Sequence, residues 1–433
     1  MAEATETMEK DSFGPAKDFK SPRTAGPAQP SPNPVRLFFE GLASLRLTVI
    51  MLFLGVLLVW FGSLAQVKGG IWHIISDYFR SFIVWIPLDV LSNVLPFKWL
   101  AGVETKFPYP GGWLIGAILL ANLLTAHALR FRLRFGILML HSGLVVLLIS
   151  EFVTGMYAVE MKMEIDEGSS ASFAYDERTP ELVVIDVTDP EQNRVVAIPA
   201  SKIYPGALIQ DEQLPFDIQV NEFFDNSALV RRSVPLNSLG QFGTLRSYKL
   251  EERPVVSGTQ MNDMDYPGAL LSLKKKDSDT KLGDLLVSCQ LGLPRFREWN
   301  VIPQKKTVGG KEYHIHLRFK RYYKPYRVHL IDFKFDRYPG TTTAKNYSSL
   351  IRMIDSAKDV DREVLIRMNH PLRYEGETFY QSSFKPNETR TVLAVVRNPG
   401  WLMPYISCTM VSIGLLVHFS QSLARFLRRE LSK

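Results

Sequence analysis

The chain has 433 residues, 46% of them hydrophobic, with 51 Lys and Arg against 44 Asp and Glu and only two cysteines. That composition excludes a disulfide-built scaffold and a wholly disordered chain. The formal net charge of +7 does not mark a nucleic-acid partner, because the excess bases flank apolar runs while the long segment 156–397 is nearly balanced.

Residues 1–38 read as a disordered cytoplasmic tail, with Pro15, Pro22, Pro27, Pro30, Pro32 and Pro34 among small and polar residues. Uncharged runs follow at roughly 47–67, 111–129, 135–150 and 398–424. Each approaches the ~20 residues a helix needs to cross a ~30 Å hydrocarbon core. The third run can continue past Glu151 through Phe152–Val159, since a carboxylate at the end of a span lies among headgroups. The first run begins too late for an ordinary cleaved signal; although Ser63-Leu64-Ala65 resembles a cleavage site, an uncleaved anchor is expected. Between runs one and two, Ile71–Ile75, Phe82–Ile86 and Val90–Phe97 are apolar but broken by Asp77, Arg80, Pro87, Asp89 and Pro96. Residues 70–100 therefore read as amphipathic helices lying at the interface, within a three-helix membrane region over 39–155.

Basic residues set the expected orientation. Arg36 and Arg46 precede the first run, Arg130, Arg132 and Arg134 fill the loop after the second, and Arg425, Arg428, Arg429 and Lys433 follow the fourth. With alternating spans, all three clusters fall on one side, which the positive-inside rule makes the cytoplasm. The expectation is a multi-pass protein of the cell inner (plasma) membrane with both termini cytoplasmic, including a basic tail at 425–433, and 156–397 outside. In a plastid or cyanobacterium the bilayer would be the thylakoid membrane.

The external segment reads as β-rich, a sandwich- or barrel-like pair of sheets. Ile315, Leu317 and Phe319 alternate with polar residues, as do Ile331, Phe333 and Phe335, and Val364, Ile366 and Met368. Leu182–Val187, Phe216–Phe223 and Thr391–Val396 are further strands, and Gly309-Gly310 marks a hairpin turn. Cys289 reads as a buried apolar residue, and Cys408 lies in the fourth span.

Catalytic constellations are absent: there is no P-loop, Gly-x-Gly-x-x-Gly, His-Glu-x-x-His, Gly-x-Ser-x-Gly or Cys-x-x-Cys. No structural metal is expected. His314 and His316 share a strand face with Arg318 and Lys320, which repel a cation, so that face reads as solvated. The basic, aromatic stretch Arg295–Arg327 reads as a solvated face too. The intramembrane histidines carry more information, because an ionisable side chain in lipid is costly. His141 lies inside the third run beside Ser142-Gly143, which lets a helix approach closely; His127 reads as reaching the headgroups near Arg130. His418 lies in the inner half of the fourth run. Imidazole is an axial haem ligand, so His141 and His418 stand as candidate cofactor-binding residues.

Residues 369–376, Asn-His-Pro-Leu-Arg-Tyr-Glu-Gly, with Phe379-Tyr380-Gln381-Ser382-Ser383-Phe384, resemble the signature of the ResB/CcsB cytochrome c biogenesis proteins. Its members here are Asn369, Pro371, Leu372, Tyr374, Gly376, Phe379, Tyr380, Gln381 and Ser383. Leu330–Phe333, Tyr338-Pro339-Gly340, Tyr347-Ser348-Ser349, Ala43–Thr48 and Arg397–Gly400 match the family as well. The resemblance implies a system II subunit that works with a ResC/CcsA-like membrane partner. Together they would carry haem b across the bilayer and attach it to apocytochrome c, whose cysteines need a thiol-disulfide reductant. At most, the chain would be an accessory subunit of a cytochrome c-haem lyase. The family's transmembrane histidine falls on His141, so the resemblance implies that this residue would be an axial ligand of haem iron in transit. The signature itself is expected to work in folding and docking, with Tyr380 and Phe384 in the core. The alternative is an anchor that organises a membrane complex without binding haem.

Overall fold

The computed structural model describes residues 33–94, 96–129, 135–233, 235–236, 240–256, 264–276, 278–292, 304–341, 344–384 and 389–432. The prolines at 15–32, Arg130, Arg132, Arg134 and Lys433 lie outside the described residues. Helix α1 (Pro34–Leu42) begins within the segment 1–38. Asn33 caps it by accepting from the Val35 N–H at 3.0 Å, and Pro34 takes the first helical position, where no donor is needed.

Among the described residues, four helices are long and apolar enough to cross a membrane: α2 over Leu45–Val67 of its Leu45–Ile74 length, α3 (Gly112–Leu129), α4 (Phe135–Tyr157) and α5 (Met403–Leu431). The helix α4 continues past Glu151, as predicted. The fourth span starts at Met403 rather than 398, because Asn398 and Pro399 form a turn in which Asn398 Oδ1 accepts from the Gly400 N–H at 2.8 Å.

The segment 75–110 departs from the predicted interfacial helices. Helix α2 bends at Gly70, whose φ of +72° suits glycine, and a Cβ there would lie 2.5 Å from the Val256 carbonyl oxygen. Beyond it the chain forms a hairpin of β1 (Ile83–Pro87) and β2 (Lys106–Pro110), joined through two short 3-10 turns. Val84, Ile86 and Val90 pack with Tyr78 against Leu58 and Ala65 of α2. The Tyr109 hydroxyl donates to the Leu54 carbonyl at 3.0 Å. Pro87 ends the first strand and Pro108 and Pro110 lie in the second, so neither short apolar run can continue as a helix.

Between α4 and α5 lies the β-rich domain. Its strands are β3 (Val159–Asp166), β4 (Ser170–Asp186), β5 (Arg194–Pro199), β6 (Leu208–Ile209), β7 (Phe216–Phe224), β8 (Ser227–Arg231), β9 (Tyr248–Glu252), β10 (Gly268–Lys275) and β11 (Lys281–Ser288). There follow β12 (Lys305–Val308), β13 (Lys311–Arg337), β14 (Ala344–Asp355), β15 (Val360–Arg367), β16 (Leu372–Tyr374), β17 (Glu377–Phe384) and β18 (Arg390–Arg397). A ten-stranded antiparallel sheet runs β15-β14-β13-β4-β3-β18-β17-β16, with β5 and β12 pairing on β4 and β13. It curls until β15 meets β16 and β17, which nearly closes a barrel. A four-stranded sheet, β11-β10-β7-β6, covers the other half.

The strand β13 explains why there are two cores. Its pairing with β4 shifts register between Tyr323 and Val328, around Pro325, which can donate no ladder bond. Before the bulge, Ile315, Leu317 and Phe319 pack with Leu182 and Val184 under Phe216, Leu271 and Leu285 of the smaller sheet. After it, Val328, Leu330 and Phe333 enter the closed half beside Met163, Ile351, Phe379 and Leu393. The two alternating stretches read from the sequence are therefore one bent strand.

Candidate functional site

The membrane helices pack in sequence order. Asn122 of α3 is buried; its Nδ2 donates to the carbonyls of Leu42 and Ser44 at 2.6 and 3.1 Å, and its Oδ1 accepts from the Thr48 hydroxyl at 2.7 Å. This holds the start of α2 with an amide that would be costly unpaired in lipid. Five residues on, His127 is rotated about 140° around α3 at 3.6 residues per turn. It therefore faces the other neighbour, α4.

There it meets His141. His127 Nε2 and His141 Nδ1 are 2.5 Å apart, with ring centroids 4.7 Å apart and planes crossed at 76°. The reading of His127 as a headgroup-reaching side chain is thereby corrected. The histidines lie three residues before and seven after the 130–134 loop, and the antiparallel return of the helices brings them level. This could have been seen in the sequence only by assuming the register of that hairpin.

His141 faces α3, while Gly143 faces α5. A Cβ on Gly143 would stand 3.0 Å from the Ser407 carbonyl, and one on Gly414 would stand 2.6 Å from Leu140 N. The Ser407 hydroxyl donates to the Gly143 carbonyl at 2.8 Å. Small residues seven apart on each helix, Gly136 with Gly143 and Ser407 with Gly414, thus let the backbones touch. His418 belongs to this seam: its backbone N would be 2.9 Å from a Cβ on Gly136, and its ring meets Phe419. The His127–His141 pair lies on the other side of α4, toward α3.

The signature residues lie in the closed half of the β-rich domain. Glu375 and Gly376, with φ of +50° and +72°, form the two-residue turn between β16 and β17; glycine fits the second position without strain. Asn369, at φ +61°, turns the chain between β15 and β16, and Arg367 and His370 bridge across it. The Tyr374 hydroxyl donates to Asp355 Oδ2 at 2.7 Å. Gln381 Oε1 accepts from the Ser349 hydroxyl at 2.6 Å, and its Nε2 donates to the Thr391 hydroxyl at 2.9 Å. Glu377 is buried and accepts from Lys324 Nζ at 2.5 Å and from the Tyr326 hydroxyl at 2.6 Å. Leu372 and Phe379 are core, whereas Tyr380 is 42% exposed and points out of the sheet, correcting its placement in the core. The Phe384 side chain lies outside the described residues.

His314 and His316 are not on open surface. His314 Nε2 lies 2.8 Å from Glu312 Oε1. His316 pairs across the sheet with fully buried Val183, and burial, helped by His314, Arg318 and Arg321, lowers its pKa to about 4. Its face-mate Arg318 is buried too, with Nε donating to Glu181 Oε1 at 2.8 Å. Cys289 is buried, which pushes its thiol pKa well up, and Cys408 is exposed on α5. No group of three or more His, Cys, Asp or Glu side chains converges among the described residues.

Residues 285–394 match the ResB-like family. The β-rich domain carries a ResB-like segment. That segment runs from the end of β11 into β18, so it contains the signature and the contacts by which the curled sheet closes. Protein NrfI of Wolinella succinogenes is 31% identical over 102 residues, which are 24% of this chain and 11% of that protein. The match thus spans about a tenth of the relative's length. The ResB resemblance read from residues 369–384 holds in this segment; the His127–His141 pair lies outside it.

Proposed function

We propose that the chain serves cytochrome c biogenesis as a membrane subunit. With a ResC/CcsA-like partner it carries haem across the bilayer and supports its attachment to apocytochrome c, with the client cysteines kept reduced by a thiol-disulfide reductant. The observation that carries this reading is an imidazole pair within the span helices of a chain whose external domain is ResB-like. Haem b is the cargo. It has an apolar ring and two carboxylates, so it needs an apolar path between helices and a ligand for its iron. His141 supplies that ligand, and a histidine of the partner supplies the other. His418 stays a candidate for a second position on the path.

If all four candidate spans cross, both flanks of the membrane region fall on one side and the β-rich domain on the other. Arg36, Arg46, Arg425, Arg428 and Arg429 favour the cytoplasm for the flanks. The external domain then stands where haem emerges. In this reading an extended client pairs along a strand of that domain by β-augmentation.

The test is replacement of His141 by Ala in cells that make c-type cytochromes. Assembly should fail while the chain still inserts, and added imidazole should partly restore it, because a small ligand fills the vacated coordination position. Normal assembly without His141 would leave the alternative, an organising anchor that does not touch haem.

A further inference from the structure

We propose that His127 is a positioning residue that fixes the tautomer and direction of His141, so that His141 presents Nε2 to the metal of its ligand. The inference rests on the haem reading for the identity of that ligand, but its geometry stands on the helices alone.

A neutral imidazole has one N–H and one lone pair. His141 Nδ1 is engaged with His127 Nε2 at 2.5 Å, so a metal meets His141 through its other nitrogen. Nε2 is also the ring nitrogen farther from the backbone. For Nε2 to hold a lone pair, the proton must sit on Nδ1 and be donated to His127 Nε2, which therefore accepts. His127 then carries its own proton on Nδ1. Both rings remain neutral, the state a low-dielectric setting favours. Metal-bound histidines commonly donate their second ring N–H to an acceptor that fixes the ring and raises its basicity. That acceptor is usually a carboxylate or a carbonyl; here an imidazole on the neighbouring helix fills the role.

The helix packing supports the assignment. Asn122 clamps one side of α3 to α2 through three hydrogen bonds, which sets the rotation that turns His127 toward α4. On the far side of α4, the glycine–serine seam sets the rotation that turns His141 toward α3. Each ring is thus aimed by a polar or close-packed contact on the opposite face of its own helix.

The experiment uses the full chain in detergent with 15N-labelled histidine. Two-bond 15N–1H spectra report the tautomer of each ring, and His141→Gln assigns the His141 signals. Wild type should show His141 protonated at Nδ1. In His127→Ala it should change to the Nε2-protonated form usual in water, and in His127→Gln, which keeps an acceptor, it should return to Nδ1. A second readout uses added haemin: loss of the acceptor should weaken iron ligation about 10- to 100-fold and shift the absorption of what remains bound. An Nε2-protonated His141 in wild type, or a tautomer indifferent to His127, would overturn the proposal whatever haem does. A tautomer that responds to His127, together with haemin absorption that ignores His141→Ala, would keep the positioning role and reject haem as the ligand.

Discussion

Glu377→Gln is the sharpest probe of how the ResB-like segment closes the β-rich domain. Lys324 and Glu377 have side chains only 7% exposed, with Nζ and Oε1 at 2.5 Å, and the Tyr326 hydroxyl donates to the second carboxylate oxygen. Glutamine keeps the shape but removes the charge, leaving an ammonium buried in the second core without its counter-ion. Breaking one partner of such a pair costs about 3–5 kcal/mol. In a domain of this size, with about 2–4 °C per kcal/mol, the unfolding midpoint should fall by roughly 6–20 °C. The assay is thermal unfolding of the detergent-solubilised chain followed by near-ultraviolet circular dichroism. Lys324→Met alone should also destabilise, because it strands the carboxylate, while the double variant should recover most of the loss. A midpoint within about 2 °C of wild type for Glu377→Gln would refute the reasoning, as would simple additivity in the double variant.

Two further outcomes follow. The depressed pKa of His316, about 4 against 6.5, means the unfolded chain binds the proton first, so stability should fall as pH drops from about 6.5 to 4 and be flat above that window. The loss is about 3 kcal/mol by pH 4 at 1.36 kcal/mol per unit, and His316→Phe should lack this slope; equal slopes would refute it. Gly414→Leu should force α4 and α5 apart and cost about 1–3 kcal/mol, whereas Gly116→Leu, where nothing lies within 4 Å of the Cβ position, should be neutral; thermal stability in detergent compares them.

Much of this architecture is visible in the residues, for physical reasons that differ by element. The spans are legible because a run without charge of that length has few other stable environments. The β-domain is legible because alternation at Ile315–Phe319 and Ile331–Phe335 reports one buried face, and Gly309-Gly310 sets a two-residue turn. The bend at Pro325, which makes one strand serve two cores, depends on partners far away in the chain. Short apolar runs at 83–87 and 106–110 fit an amphipathic helix as well as a strand until their proline boundaries are weighed. Charged residues in a strand read as surface, so the buried Lys324–Glu377 and Arg318–Glu181 pairs are invisible without the fold. Tyr380 beside Phe379 looks like core by composition, yet the period of two sends it outward. His141 stands out as an ionisable residue in lipid, while its pairing with His127 depends on helix register.

If His141 holds the iron of haem within the membrane helices, as proposed, the absorption spectrum of the chain co-purified with a ResC/CcsA-like protein reports it most directly. Wild type should carry a haem Soret band. His141→Ala should lose it and regain part of it when purified with imidazole, while remaining folded by circular dichroism. A Soret band of equal intensity and position in His141→Ala, with no response to imidazole, would contradict the claim.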